Sequence, residues 1–178
     1  MVLNIMTPVP VVKAYCDSAT STLNPGNVVF HVFVYGTLPL FIIRYVGEWI
    51  GQTGYDPITI VGRQLSAIAD ILTILLVFLI ALRLFDEKIG LMAAALYAFA
   101  VLPIQQSHFM TVDTFTNTFG MLTVYFAVVI LTRPKQSLRD EAGQRLKLKV
   151  SDWVPYIAFG VGLGMATASK INAAARAL

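Results

Sequence analysis

The sequence predicts an all-α protein, a polytopic transmembrane helix bundle of four to five membrane helices with a partly interfacial first segment. Hydrophobic residues make up 57% of the 178 positions and charged residues only 13%. Soluble domains carry roughly 25% charged residues. Long apolar runs are separated by short charged or proline-containing segments, which is the pattern expected of helices that cross a bilayer.

The chain divides into an irregular N-terminal segment, residues 1–27, and a transmembrane helical domain, residues 28–178. Three prolines, one glycine and a Ser/Thr cluster punctuate residues 1–27 and disfavour regular structure there. Residues 28–50 are apolar but interrupted by Pro39, which disfavours one continuous helix. We expect a loop that enters a helix near Leu40, and this helix either lies in the interface or spans the membrane.

Pro57 suits the first turn of the next helix, after a loop at residues 51–56. Four membrane helices are predicted at residues 66–85, 89–104, 114–132 and 153–169. Pro103 is expected to end the second of these helices. In the last helix, a run of small residues allows close helix packing: Gly160, Gly162, Gly164, Ala166 and Ala168. Gly160 and Gly164 within this run match a small-xxx-small pair.

The basic residues predict how the chain is oriented. Residues 83–88 and 133–149 should lie on the same side of the membrane, because two predicted helices separate them, and together they contain eight lysines and arginines. The positive-inside rule places both segments in the cytoplasm and residues 105–113 outside the plasma membrane. The formal net charge of +3 is concentrated in one loop rather than spread over a surface, which excludes nucleic acid as a partner.

The polar segment at residues 105–113 is the main candidate site. Charged groups near lipid are costly and usually functional. Asp113 is interpreted as the N-cap of a helix that starts at Thr114, as a functional carboxylate, or as both. His108 could bind a metal, relay a proton or bind phosphate, or it could be a histidine without a chemical role.

Three further charged residues were weighed in the same way. Arg63 and Asp70 are expected to face the bundle interior and to form an ion pair or a hydrogen bond. Lys170 follows the last helix and either extends to the lipid headgroups or holds an anionic headgroup.

Four sequence blocks, in order along the chain, resemble those of GT-C-fold membrane glycosyltransferases of family 39, the protein O-mannosyltransferase and aminoarabinose transferase relatives. The blocks are YGTLPL at residues 35–40, VGRQLSA at 61–67, IQQSHFMTVD at 104–113 and GLGMATASKIN at 162–172. The resemblance extends over about residues 23–175 and implies that the domain is a fragment of a larger GT-C-like membrane domain.

The resemblance implies a glycosyltransferase that uses a polyprenyl-phosphate sugar donor on the outer face of the membrane. Asp113 would organise the donor phosphate, often together with a divalent metal ion, and His108 would lie beside it as a second catalytic candidate. Lys170 and Arg63 would bind the lipid phosphate. Lipids and membrane-protein subunits are the other partners expected.

One departure from the family leaves catalysis open. The family has a catalytic acid in its first external loop, but Asp17 is the single acidic residue in residues 1–24 and its surroundings do not match. The chain is therefore either a membrane glycosyltransferase, or a fragment of one, or a non-catalytic small subunit that is derived from such an enzyme and packs in a larger membrane complex.

Overall fold

The computed structural model describes residues 36–133 and 150–170. These residues form helices α1 (Leu38–Trp49), α2 (Tyr55–Leu84), α3 (Glu87–Ala98), α4 (Val101–His108), α5 (Val112–Leu131) and α6 (Val150–Ser169). The all-α prediction is confirmed for the described part of the chain. The predicted irregular segment at residues 1–27 and most of the basic loop at residues 133–149 lie outside the described residues.

Helix α1 begins at Leu38, with Pro39 in its first turn. The N–H group that proline lacks would be unpaired at this position in any case, so Pro39 starts the helix rather than interrupting it. Twelve residues extend about 18 Å, which is shorter than the roughly 30 Å hydrocarbon core. This length favours the interfacial alternative for the first segment.

Helix α2 is 30 residues long and begins at Tyr55, eleven positions before the predicted boundary at residue 66 and two before Pro57. In the described part of the chain, α2 and α5 are long and apolar enough to cross a membrane. The bent pair α3–α4 is a third candidate if the two helices form one span. These helices confirm a helical membrane bundle.

The prediction of one helix at residues 89–104 that ends at Pro103 is wrong. The structure has two helices, α3 and α4, bent by 55° at the break between them, and Pro103 lies in the first turn of α4. A continuous helix would need an N–H group on Pro103 to bond the carbonyl of Phe99. Because that group is missing, the helix breaks at Phe99 and Ala100, one turn before the proline.

Helix α5 packs between α2 and α6. At the α2–α5 contact, the Thr118 hydroxyl lies 2.9 Å from both the Ala69 carbonyl oxygen and the Thr73 hydroxyl. Both threonines are buried. Paired hydroxyls of this kind hold membrane helices together where the hydrophobic effect contributes little.

Gly162, one member of the run of small residues in α6, makes the close contact between α6 and α5, whereas the pair Gly160 and Gly164 makes none among the described residues. A β-carbon on Gly162 would lie 2.9 Å from the Thr123 hydroxyl oxygen, whereas one on Gly160 or Gly164 would meet nothing within 4 Å among the described residues. Two residues rotate a helix by about 200°, so Gly162 faces the side opposite to the predicted pair.

Contacts between helix ends define the two ends of the bundle. At one end, Arg83 Nε donates a 2.6 Å hydrogen bond to the Thr132 hydroxyl. At the other end, the Gly36 N–H donates a 2.9 Å hydrogen bond to the carbonyl of Ser169. The segments predicted to be cytoplasmic therefore begin at one end, and residues 105–113 lie at the opposite end. Which end faces outwards stays a prediction.

Candidate functional site

The predicted site centres on an ion pair between Asp113 and Lys170. The Lys170 ammonium donates a hydrogen bond of 2.5 Å to Asp113 Oδ1. Helix α5 starts at Val112 with Thr111 as its N-cap residue, so Asp113 lies inside the first turn and the N-cap interpretation is wrong. The carboxylate is instead directed across to the end of α6.

The dipoles of α5 and α6 stabilise the charges of Asp113 and Lys170. Asp113 is near the N-terminus of α5, where the partial charge of the helix is positive, and Lys170 directly follows the C-terminus of α6, where it is negative. The Lys170 side chain is 27% exposed and that of Asp113 is 35% exposed. Both groups therefore remain accessible to a ligand.

The chain before α1 supports the position of Lys170. A β-carbon on Gly36 would lie 1.9 Å from the carbonyl oxygen of Ala168, which is backbone and cannot rotate away. A residue other than glycine would therefore force the segment apart from α6. This contact explains the glycine of the YGTLPL block and joins that block to the one that contains Lys170.

A cleft of about 740 Å³ opens from the Asp113–Lys170 pair along α5. The cleft extends to Ala127, which is fourteen residues or about 21 Å along the helix. Most of the polar lining residues lie within about one turn of Asp113 along α5, and the lining further along α5 is apolar except for Thr123. The apolar lining includes Leu102, Met121, Val124, Ala127, Phe159, Leu163 and Ala166. The cleft thus combines a charged end with a long apolar trough.

A second polar group lines the same cleft. Asn117 Nδ2 donates a 2.7 Å hydrogen bond to the Tyr97 hydroxyl, which donates a 3.3 Å hydrogen bond to Asp70 Oδ1. Tyr97 and Asn117 are candidate site residues that were not predicted from the sequence. A polar residue within an apolar helix can indicate a functional site, but its presence does not show whether the side chain faces the cleft.

The expected ion pair between Arg63 and Asp70 is replaced by the hydrogen bond from Tyr97. Arg63 and Asp70 are seven residues apart, and this separation puts two side chains on the same helix face but about 10 Å apart along the axis. Arg63 is exposed on α2 and does not line the cleft. The alternative of a hydrogen bond at Asp70 is the one that agrees with the structure.

His108 also lies outside the cleft lining. It is the last residue of α4 and is exposed, and its Nδ1 lies 2.8 Å from the carbonyl oxygen of Ile104. Because a carbonyl only accepts hydrogen bonds, this contact places a ring proton on Nδ1 and leaves Nε2 directed elsewhere. Gln106, two residues earlier, is the residue of this segment that lines the cleft together with Asp113.

The residues around Asp113 do not fit a metal site by themselves. The described residues contain no group of three or more His, Cys, Asp or Glu side chains that could hold a metal ion. Asp113 Oδ1 already accepts a hydrogen bond from an ammonium group. The cationic group that contacts Asp113 in the described part of the chain is the ammonium of Lys170.

Residues 56–140 match the family described as dolichyl-phosphate-mannose-protein mannosyltransferase. The comparisons with curated proteins and with solved structures gave no match. The matched segment includes helices α2 to α5 and Asp113, whereas Gly36 and Lys170 fall outside it. The resemblance is confirmed over this segment, and residues 56–140 are similar to the dolichyl-phosphate-mannose-protein mannosyltransferases.

Proposed function

We propose that this protein, or a larger one of which it is part, transfers a sugar from a polyprenyl-phosphate donor on the outer face of the membrane. The observation that carries the proposal is the Asp113–Lys170 pair at the polar end of an apolar cleft between membrane helices. A lipid-linked sugar phosphate has the matching chemistry, because a charged phosphate joins a polar sugar to a long apolar chain. The GT-C fold is part of this proposal.

Lys170 is the residue proposed to bind the donor phosphate. The bond between the sugar and the phosphate breaks during transfer, and negative charge then grows on the departing phosphate. A fixed ammonium group stabilises that charge, which lowers the barrier. Asp113 holds the ammonium at the mouth of the cleft through the contact with Oδ1. A bound phosphate would contact another face of the same ammonium, which has three N–H donors.

The apolar trough is proposed to hold the first units of the polyprenyl chain. Met121 and Val124 of α5 and Phe159 and Leu163 of α6 all line the cleft. A polyprenyl chain that moves from the bilayer into the trough exchanges one apolar environment for another, so the trough would orient the chain by van der Waals packing rather than by the hydrophobic effect. Because the cleft begins at the ion pair, a chain lying in it would place its phosphate beside Lys170.

His108 and Arg63 are proposed to act outside the cleft, at the same end of the bundle. Gly62, the neighbour of Arg63 in the sequence, packs against Met110. Met110 lies between His108 and Asp113 in the sequence. A substrate that extends beyond the cleft would meet the exposed imidazole and guanidinium groups. A divalent metal at Asp113 would need further ligands from the substrate, so no step is assigned to a metal.

The proposal is tested by transfer of radiolabelled mannose from a polyprenyl-phosphate donor in membranes that contain the protein. Asp113→Ala should abolish transfer, since the ammonium of Lys170 loses its anchor. Glu48→Ala is the control, because it removes a carboxylate from the exposed ion pair with Arg44. Full transfer by the Asp113 variant would contradict the assignment. Donor binding without any transfer by the unaltered protein would favour the non-catalytic subunit instead.

A further inference from the structure

We propose that Asp70, Tyr97 and Asn117 form a subsite for the hydroxyl groups of the donor sugar, deeper in the cleft than the Asp113–Lys170 pair. This inference rests on the proposed function, because it divides one donor between two parts of one cleft. The three residues come from α2, α3 and α5, and all three line the cleft. They are referred to below as the inner triad.

The inner triad has hydrogen-bonding capacity to spare. The bond from the Tyr97 hydroxyl to Asp70 is 3.3 Å long, whereas hydroxyl-to-carboxylate bonds are typically about 2.5–2.7 Å. A carboxylate offers about four acceptor sites, so one long bond leaves most of them available. Asn117 uses one N–H on Tyr97 and keeps a second N–H and a carbonyl oxygen. The inner triad can therefore both accept and donate hydrogen bonds in the cleft.

Charge separates the two polar parts of the cleft. The inner triad consists of a carboxyl, a phenol and an amide group, so it offers hydrogen-bond partners for neutral hydroxyl groups but no cation for a phosphate. Lys170 offers an ammonium group, which suits the phosphate. A ligand in which a phosphate is joined to a group rich in hydroxyls satisfies both parts.

The spacing suits a single sugar ring. Asn117 follows Asp113 by four residues on α5, which places the two on the same side of the helix and about 6 Å apart along its axis. Both line the cleft, and Asn117 is exposed. A phosphate beside Lys170 would thus leave room for its attached sugar to contact the inner triad.

A purely structural role is the competing explanation, because hydrogen bonds between α2, α3 and α5 also hold helices together. A structural role would affect the binding of every ligand and the stability of the free protein. A sugar subsite would affect only those ligands that carry the sugar. Comparing one lipid with and without its sugar separates the two roles.

The experiment measures the Kd of the purified full chain in lipid nanodiscs for polyprenyl-phosphate mannose and for polyprenyl phosphate without sugar. The unaltered protein should prefer the mannosyl lipid. Asp70→Asn and Asn117→Ala should weaken binding of the mannosyl lipid about tenfold, as expected for one lost hydrogen bond of 1.4 kcal/mol, and leave the sugar-free lipid unchanged. Tyr97→Phe should act in the same way. Tyr125→Phe is its matched control, because Tyr125 does not line the cleft.

Each other outcome overturns a defined part of the proposal. If the unaltered protein prefers the mannosyl lipid and the variants keep that preference, the subsite is wrong and the proposed function stands. If the variants lose both lipids equally and melt at a lower temperature without ligand, the inner triad is structural. If the unaltered protein binds neither lipid, the proposed function fails and the subsite fails with it.

Discussion

The Lys170 ammonium contacts the Asp113 carboxylate although 57 residues separate them in the sequence. The contact joins the end of α6 to the start of α5 and leaves both side chains partly exposed at the mouth of the cleft. The two charges should have opposite effects on an incoming phosphate, and this difference allows their roles to be separated.

Lys170→Met should weaken binding of polyprenyl phosphate roughly tenfold to a hundredfold, the range expected for one charge-assisted hydrogen bond. Asp113→Asn should bind the same lipid at least as tightly as the unaltered protein, because it removes a repelling charge, but should lose sugar transfer. Both effects can be measured with the protein in nanodiscs, by lipid titration and by a transfer assay. Equal losses of binding in the two variants would mean that the pair only stabilises the bundle.

Gly36→Ala should lower both the melting temperature and the affinity for the lipid phosphate. The added β-carbon would overlap the carbonyl oxygen of Ala168 and displace the end of α6 that carries Lys170. Gly164→Ala is the matched control, because its β-carbon would meet nothing within 4 Å among the described residues. Alanine in place of glycine inside a helix stabilises it by about 0.5–1 kcal/mol, so this control should melt at the same or a higher temperature. Identical behaviour of the two variants would contradict the close contact at Gly36.

Thr118→Val should reduce stability by about 0.6–2 kcal/mol, the range found for hydrogen bonds between membrane helices. The hydroxyl is buried at the α2–α5 contact and bonds the Ala69 carbonyl on the other helix. Thr59→Val removes an exposed hydroxyl that bonds within α2 and should have a smaller effect. Denaturant titration in detergent, followed by circular dichroism, compares the two. A larger loss at Thr59 would show that the buried hydroxyl contributes little.

Cysteine labelling should establish which end of the bundle faces outwards. With Cys16 replaced by serine, Gln105→Cys should react with a membrane-impermeant maleimide on intact cells, and Lys88→Cys should react only after permeabilisation. Both positions are exposed, so the difference reports the side of the membrane rather than burial. The basic residues after α2 and α5 favour a cytoplasmic position for that end. The reverse labelling pattern would place the donor site in the cytoplasm.

The sequence was sufficient to predict the helical class and to indicate Asp113 and Lys170 as site residues, but not their ion pair and not the inner triad. Apolar runs identify membrane helices whatever their rotation, and the family blocks pointed to Asp113 and Lys170. Whether Tyr97 faces Asp70 or the lipid depends on how α3 turns relative to α2. That rotation is set by packing, including the contact of Gly90 with Phe78, where a β-carbon would lie 3.2 Å from the ring.

Packing also decides what Pro103 does and which glycine of α6 makes a contact. Pro103 was expected to end a helix, but a proline exerts its main effect on the carbonyl one turn earlier. Its position alone therefore does not distinguish a helix end from a break followed by a new first turn. Likewise, the spacing of Gly160 and Gly164 matches a packing motif, whereas the contact with α5 is made by Gly162.

The hydrogen bond between Gly36 and Ser169 has a consequence for the order of assembly. Ser169 and Lys170 are the last described residues to leave the ribosome, so α1, α2 and α5 are synthesised before their partners at this end exist. Until α6 inserts, Asp113 has no ammonium beside it and Gly36 has no carbonyl to bond. The proposed donor site is therefore completed only after α6 has been synthesised, and a lipid phosphate that needs Lys170 could not be held before that step.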